Sequence, residues 1–337
     1  MFRAVPNACP LYATRLRRLL SVAVAAVAAV AVPAAALAQD YPQRAIRLIV
    51  PFSPGGAVDG PSRVIAHELG RRLGQQVVVE NRPGAGATIG AEAVAKAPAD
   101  GHTLLLASQT NAISATLYAK LSFNPIEDFA PIALLGREPG VLVLHPAFPA
   151  QTVSELIAHV KQNPGKVDFA SSGNGSGQHL FAALFNSMAG IRMNHVPYRG
   201  SGQATTDLLS GTVPLSFPGL SSMLGHIRGG KLRALAVTGV RRSPLLPEVP
   251  TLDEAGVRGY SAYVWMGLMA PKGTPPAILA RLNRELVATL AAPEVRSYLD
   301  NAAIEAVGSS AAEFAGFFRA EKERWAQIIR DTGAKID

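Results

Sequence analysis

Short apolar runs that end in glycine-rich turns, each followed by a segment of helical periodicity, recur along most of this chain. Ala45–Phe52 is β-rich and ends at Pro54-Gly55-Gly56. A helix is predicted from Gly60 to Leu73. Asp59 is placed to cap it, Pro61 suits its first turn, and Ile65, Leu69 and Leu73 repeat at i+4. Gln76–Glu80 reads as the next strand, Thr88–Lys96 as a short helix and His102–Ala107 as a third strand. Short strands alternating with helices imply a mostly parallel sheet covered on both faces.

After two further strand candidates, 129–135 and 140–144, the pattern restarts. Thr152 and Glu155 have capping-box spacing ahead of a helix over 153–162. Strands are expected at 167–170, 192–197, 213–217 and 232–238, with helices over 180–188 and 204–209. The last hundred residues carry two long helices. The first opens at Thr274-Pro275-Pro276 and repeats Ile278, Leu282, Leu286 and Leu290; the second opens on the Ser310/Glu313 capping box. The stripe Phe314, Phe317, Phe318, Trp325 and Ile328 reads as core packing. Two α/β lobes are expected: residues 39–140, residues 141–255, and a segment over 256–337 that returns to complete the first.

Residues 1–38 read as an export signal. Arg15, Arg17 and Arg18 precede the apolar run Leu19–Val32, and Ala34-Ala35-Ala36-Leu37-Ala38 reads as a cleavage site before Gln39. Cleavage would lower the formal charge from +8 to +4, because Arg3, Arg15, Arg17 and Arg18 leave and no acid does. The remaining basic residues are scattered among acids, which argues against nucleic-acid binding. The single cysteine, Cys9, lies inside the signal. The processed chain would therefore have no disulfide, thiol nucleophile or thiolate metal site.

Three glycine-rich loops each lie between a strand and a helix. Ser53–Asp59 offers close backbone approach and helix-start amides; Asp59 reads as a cap rather than a catalytic acid. Asn81–Gly90 spaces its glycines G-x-G-x-x-x-G after the second strand, unlike a dinucleotide fingerprint, and suits an anion-receiving turn. Ser171–His179 lacks the Lys-Ser/Thr end of a phosphate loop and forms a nest of amides and hydroxyls before a helix. His179 would contact a ligand there or serve a structural hydrogen bond. The mature histidines are spread singly, with no metal-binding pair. Nothing in the chain points to a catalytic constellation, a metal or a cofactor.

Several segments together carry a resemblance: Ile49-Val50-Pro51-Phe52 with Pro54-Gly55-Gly56 and Asp59, Val79–Gly86, Asp100-Gly101-His102-Thr103-Leu104-Leu105, His195-Val196-Pro197-Tyr198-Arg199-Gly200, Gly230–Val237, and Leu246–Thr251 with Glu254-Ala255-Gly256. The chain resembles the periplasmic solute-binding proteins of tripartite tricarboxylate transporters, the Bug family. The resemblance covers nearly all of the mature chain. It implies a two-lobed, type II-like Venus flytrap with mixed sheets flanked by helices. It implies a monomer that binds a small organic acid between its lobes and delivers it to an inner-membrane permease, without catalysis or a cofactor. The alternatives are a sensor for a two-component system and, less in keeping with the sequence, an exported enzyme. Carried onto this chain, the ligand-binding positions are Pro54, Gly55, Gly56 and Asp59; Pro83, Gly84, Ala85 and Gly86; Ser108 and Thr110; Ser172, Gly173, Gly177 and His179; and Ala204 and Asp207. Ala87, His102 and Phe217-Pro218-Gly219 depart from the family's usual residues.

Overall fold

The computed structural model describes residues 41–333 apart from Ala119. The predicted export signal lies outside the described residues. Two sheets form, and the order of their strands explains how one chain builds both.

The first sheet begins with β1 (Ile46–Val50), α1 (Asp59–Leu73), β2 (Val77–Asn81), α2 (Thr88–Ala95) and β3 (Thr103–Ser108). β1 pairs in parallel with both neighbours, so Leu48 lies opposite Val79 on one side and Leu104 on the other. The antiparallel strand β4 (Phe129–Pro139) follows α3 (Gln109–Leu117). The chain then crosses at Gly140 into the second sheet.

That sheet holds β5 (Val141–Leu144), β6 (Asp168–Ser171), β7 (Asn194–Pro197), β8 (Leu215–Ser216) and β9 (Arg233–Val237), in the order β7-β6-β8-β5-β9. Its helices are α4 (Val153–Gln162), α5 (Gly177–Ala189), α6 (Ser201–Ser210) and α7 (Leu220–Arg228). The chain returns as β10 (Tyr263–Pro271), which inserts between β3 and β4. It finishes with α8 (Pro276–Leu290), α9 (Pro293–Asn301), the short edge strand β11 (Glu305–Ala306) and α10 (Ala311–Thr332). The first sheet is thus ordered β11-β4-β10-β3-β1-β2.

Thr238 binds the two crossings to each other. Its buried hydroxyl accepts from the Gly140 amide at 2.6 Å and donates to the Ala262 carbonyl at 2.6 Å. Both passages between sheets are therefore tied at one side chain.

The elements that sequence periodicity misses are those whose apolar pattern is hidden. β10 is buried along nearly its whole length and does not alternate. α3 buries Gln109, Thr110, Asn111 and Ser114, so its inward face is polar. α7 and α9 are only nine residues each. Trp265 on β10 is core, as its apolar character suggests. It packs edge-on against Phe314, Phe317 and Phe318, and its indole donates to Glu321 at 2.9 Å.

Three local expectations need correction. Asp59 is the first residue inside α1 rather than its cap; Val58 holds the cap position and no side chain caps the helix. The helix expected at 204–209 begins three residues earlier, at Ser201. The Thr152 box is half formed: Thr152 accepts from the Glu155 amide, but Glu155 reaches back to the Gln151 amide instead. By contrast, Ser310 and Glu313 complete theirs.

Candidate functional site

Strands β2, β1 and β3 run parallel, as do β7, β6 and β8. The turns after their carboxyl ends come together around one cavity of about 690 Å³. This is where open α/β sheets place ligands. The first sheet contributes residues 51–53 and 56–58 after β1, 83–87 after β2, and 108–110 after β3. The second contributes residues from 172–178 after β6, 198–201 after β7, and Phe217 and Gly219 after β8.

Ten of the predicted binding positions line this cavity: Gly56, Pro83, Gly84, Ala85, Gly86, Ser108, Thr110, Ser172, Gly173 and Gly177. Pro54, Gly55, Asp59, His179, Ala204 and Asp207 are not among the residues that line it. Four of those six have a visible supporting contact. The Asp59 carboxylate accepts from the Gly55 amide at 3.0 Å, from Asn81 at 2.9 Å and from the Arg63 guanidinium at 3.1 and 3.2 Å. Burial alone would raise its pKa; the hydrogen bonds from Arg63, Asn81 and Gly55 outweigh burial and hold it below the ordinary value. Asp59 thus fixes the first loop as a constant anion. Asp207 accepts from the Tyr198 hydroxyl at 2.8 Å. Burial, reinforced by that bond, pushes the Tyr198 phenol up to about 12, so it stays protonated.

His179 is stacked, not poised. Its ring lies 4.0 Å from that of His195 and nearly parallel to it, with Phe169 stacked 4.9 Å from His195. Its Nδ1 accepts from the Gly175 amide at 3.2 Å, which braces the third loop. Burial first, and the neighbouring His179 second, lower the His195 pKa to about 3, so that ring is neutral at any physiological pH. Its Nε2 lies 2.6 Å from Ser171 Oγ.

The second loop is conformationally demanding. Gly84, Ala85, Gly86 and Ala87 all have positive φ, at 125°, 45°, 58° and 70°. Two of these are alanines, at a cost of order 1–2 kcal/mol each. The turn then opens α2 at Thr88, whose hydroxyl donates back to Ala85 at 2.7 Å. The third predicted group is organised by capping. Ser108 accepts from the Thr110 amide at 3.2 Å, and its own amide donates to Asn111 at 2.9 Å. Ser176 caps α5 by accepting from the His179 amide at 3.3 Å.

The two sets of turns touch each other at glycines. A methyl group on Gly56 would stand 3.1 Å from Ser201 Oγ, and one on Gly86 3.1 Å from the Asn174 carbonyl. A methyl group on Gly219 would stand 2.8 Å from the Ala57 methyl and 2.8 Å from Glu138. The two sets of turns are therefore in close contact at the rim, through the Ser201, Ala57 and Glu138 side chains and the Asn174 carbonyl.

Sequence reasoning overlooked Arg199 as a site residue, although it lies in one of the segments that carry the family resemblance. Among the described residues it is the only Lys, Arg, Asp, Glu or His on the cavity wall. It is exposed and makes no hydrogen bond or ion pair among the described residues. Gln109, Tyr118, Asn174, Gln178 and Ser201 also line the cavity, alongside apolar Phe52, Val58, Phe217 and Val264. Two of the family departures, Ala87 and the Phe217–Gly219 segment, thus face the ligand space. His102 instead packs edge-on to Tyr41 at 5.0 Å.

The family model described as "Tripartite tricarboxylate transporter family receptor" matches residues 62–334. BugT of Bordetella pertussis is 41% identical over 323 residues, which is 95% of this chain and 99% of BugT. An R. palustris protein solved with adipate superposes with a TM-score of 0.85 at 34% identity, over 88% of this chain and 100% of its own. MatC from Rhodopseudomonas palustris with bound malate gives 0.82 at 32% identity, over 86% and 100%. The two-sheet α/β architecture is common to all of these solved neighbours.

Proposed function

The chain belongs to the receptor family of the tripartite tricarboxylate transporters, and we propose that it captures a small carboxylate-bearing solute in the periplasm and presents it to a membrane permease, performing no chemistry. The observation that carries this reading is the charge balance of the cavity wall. Among the described residues its wall has one unpaired cation and no anion, and its remaining polar groups are amides and hydroxyls near the starts of α2, α3, α5 and α6, set among apolar residues such as Phe52, Val58, Phe217 and Val264. Helix starts carry partial positive charge, and that charge is worth most in a site shielded from water. The wall thus favours a negative ligand without burying a second full charge.

The solved neighbours hold adipate and malate, both small organic acids, and this supports the same ligand class here. The loops over 54–59 and 83–87 hold one carboxylate; the turns after β6 and β7, with Arg199, read the other end. The lobes 39–140 with 256–337, and 141–255, move as units about Thr238, and the permease recognises the closed form. Export follows from the signal read in residues 1–38. Among the described residues no helix is long and apolar enough to cross a membrane.

Titration calorimetry of the processed chain against a panel of mono-, di- and tricarboxylates and their neutral amides tests the reading. Micromolar or tighter binding of an acid, with its amide much weaker, is expected. Equal binding of acid and amide would contradict it.

A further inference from the structure

Gln109 has an orientation that the function above does not use. It opens α3, is 5% exposed, and its side-chain oxygen accepts from the Trp265 backbone amide at 3.2 Å. A backbone N–H only donates, so this bond decides which end of the side-chain amide is which. Oε1 faces β10, and Nε2 is directed away from it.

Nε2 has no hydrogen-bond acceptor among the described residues, and it is not one of the fully occluded unpaired atoms. It lies against Gly177, the first residue of α5, so closely that any side chain at 177 would collide with it. Gln109 and Gly177 both line the cavity. Gln109 therefore reaches from the first sheet to the second, carrying two uncommitted N–H protons. When a solute expels water from the cleft, those donors lose their solvent. Leaving such a donor unpaired weakens binding unless the solute supplies an acceptor.

We propose that Gln109 is a specificity-determining ligand contact, donating from Nε2 to a carboxylate oxygen of the bound solute at the point where the two lobes meet. The proposal rests on the carboxylate reading above. Trp265 acts through Gln109 as the group that keeps the donor turned inward. Gly177 is the residue whose missing side chain leaves the path open.

Gln109→Glu keeps the shape and the acceptor for Trp265 but replaces the inward donor with an acceptor. Gln109→Met keeps the length and removes both. Adipate, malate, succinate and benzoate, each with its amide, would be titrated calorimetrically into the wild-type chain and both variants, with melting curves confirming that each folds. The wild type should favour its best acid over the matching amide. Gln109→Glu should weaken that acid by about 100-fold, the scale of a charge-assisted hydrogen bond replaced by repulsion, and shift preference toward the amide. Gln109→Met should bring the acid and amide affinities close together, so it carries the test if the Glu variant fails to fold. The proposal is overturned if folded variants hold the acid within twofold of wild type, or lose acid and amide equally. A wild-type chain that binds amides but none of the acids would overturn the carboxylate reading itself, and the proposal with it.

Discussion

Glu138, at the end of β4, accepts hydrogen bonds from both the amide (2.7 Å) and the hydroxyl (2.9 Å) of Ser221, in the first turn of α7. The carboxyl is fully buried beside the crossing between sheets, and burial raises its pKa to about 8 against the opposing pull of Ser221. Between its ordinary value and pH 8 the folded chain keeps a proton that the unfolded chain has released. The stability contribution is therefore complete below the ordinary carboxyl range, declines as pH rises to about 8, and is flat above that. Urea unfolding at pH 5 and pH 8.5 should show a pH-dependent loss of a few kcal/mol in the wild type that is smaller in Glu138→Gln. Equal losses in the two proteins would show that Glu138 does not hold the proton.

Gly219, just after β8 of the second sheet, packs against Ala57, in the turn after β1 of the first sheet, and Glu138, at the end of β4, with no room for a methyl group. Gly219→Ala should wedge the rim apart. Small-angle scattering is expected to report a larger radius of gyration than wild type when both are saturated with ligand, and affinity should fall roughly 10-fold or more, as overpacking of a closed interface costs about 1–3 kcal/mol. An unchanged radius and affinity would mean that the rim does not close in the bound state.

Arg199 is exposed and unpaired, so Arg199→Ala should leave the melting temperature unchanged. It should weaken the bound acid by about 10- to 100-fold, the range for losing a hydrogen bond to a charged group. Titration at two salt concentrations checks the cause, because the loss should be larger at low ionic strength.

The glycine signals at Gly55-Gly56, Gly84–Gly86 and Gly173–Gly177 marked the loops that border the cavity, because tight turns announce themselves by residue type. The helices with clean apolar repeats, such as Ile278 to Leu290, were equally legible. Gln109 was not, because its role depends on Trp265, 156 positions away, and no local pattern encodes that pairing. Arg199 looked like any surface arginine until the fold placed it on the cavity wall. Asp59 and His179 follow loops that border the cavity, yet their side chains hold the backbone and do not line it. Sequence marks the loop; the direction of a side chain within it follows from tertiary contacts.

Glu321 accepts from the indoles of Trp265 and Trp325, at 2.9 and 3.0 Å, and from Arg324 at 3.1 Å. Glu321→Leu leaves both buried indole N–H groups without an acceptor and should cost about 2–5 kcal/mol in chemical denaturation. It lies outside the cavity, so the affinity of the folded fraction should stay within twofold of wild type. A large drop in affinity would mean that this cluster positions β10 and, through it, Gln109.

In the proposed function the cleft holds a small carboxylate. Native mass spectrometry of the processed protein, purified from the periplasm of cells that make it, tests this most directly. One released organic acid at one equivalent per chain is expected. A stoichiometric neutral solute, or an empty protein that also binds no member of a broad carboxylate panel, would contradict it.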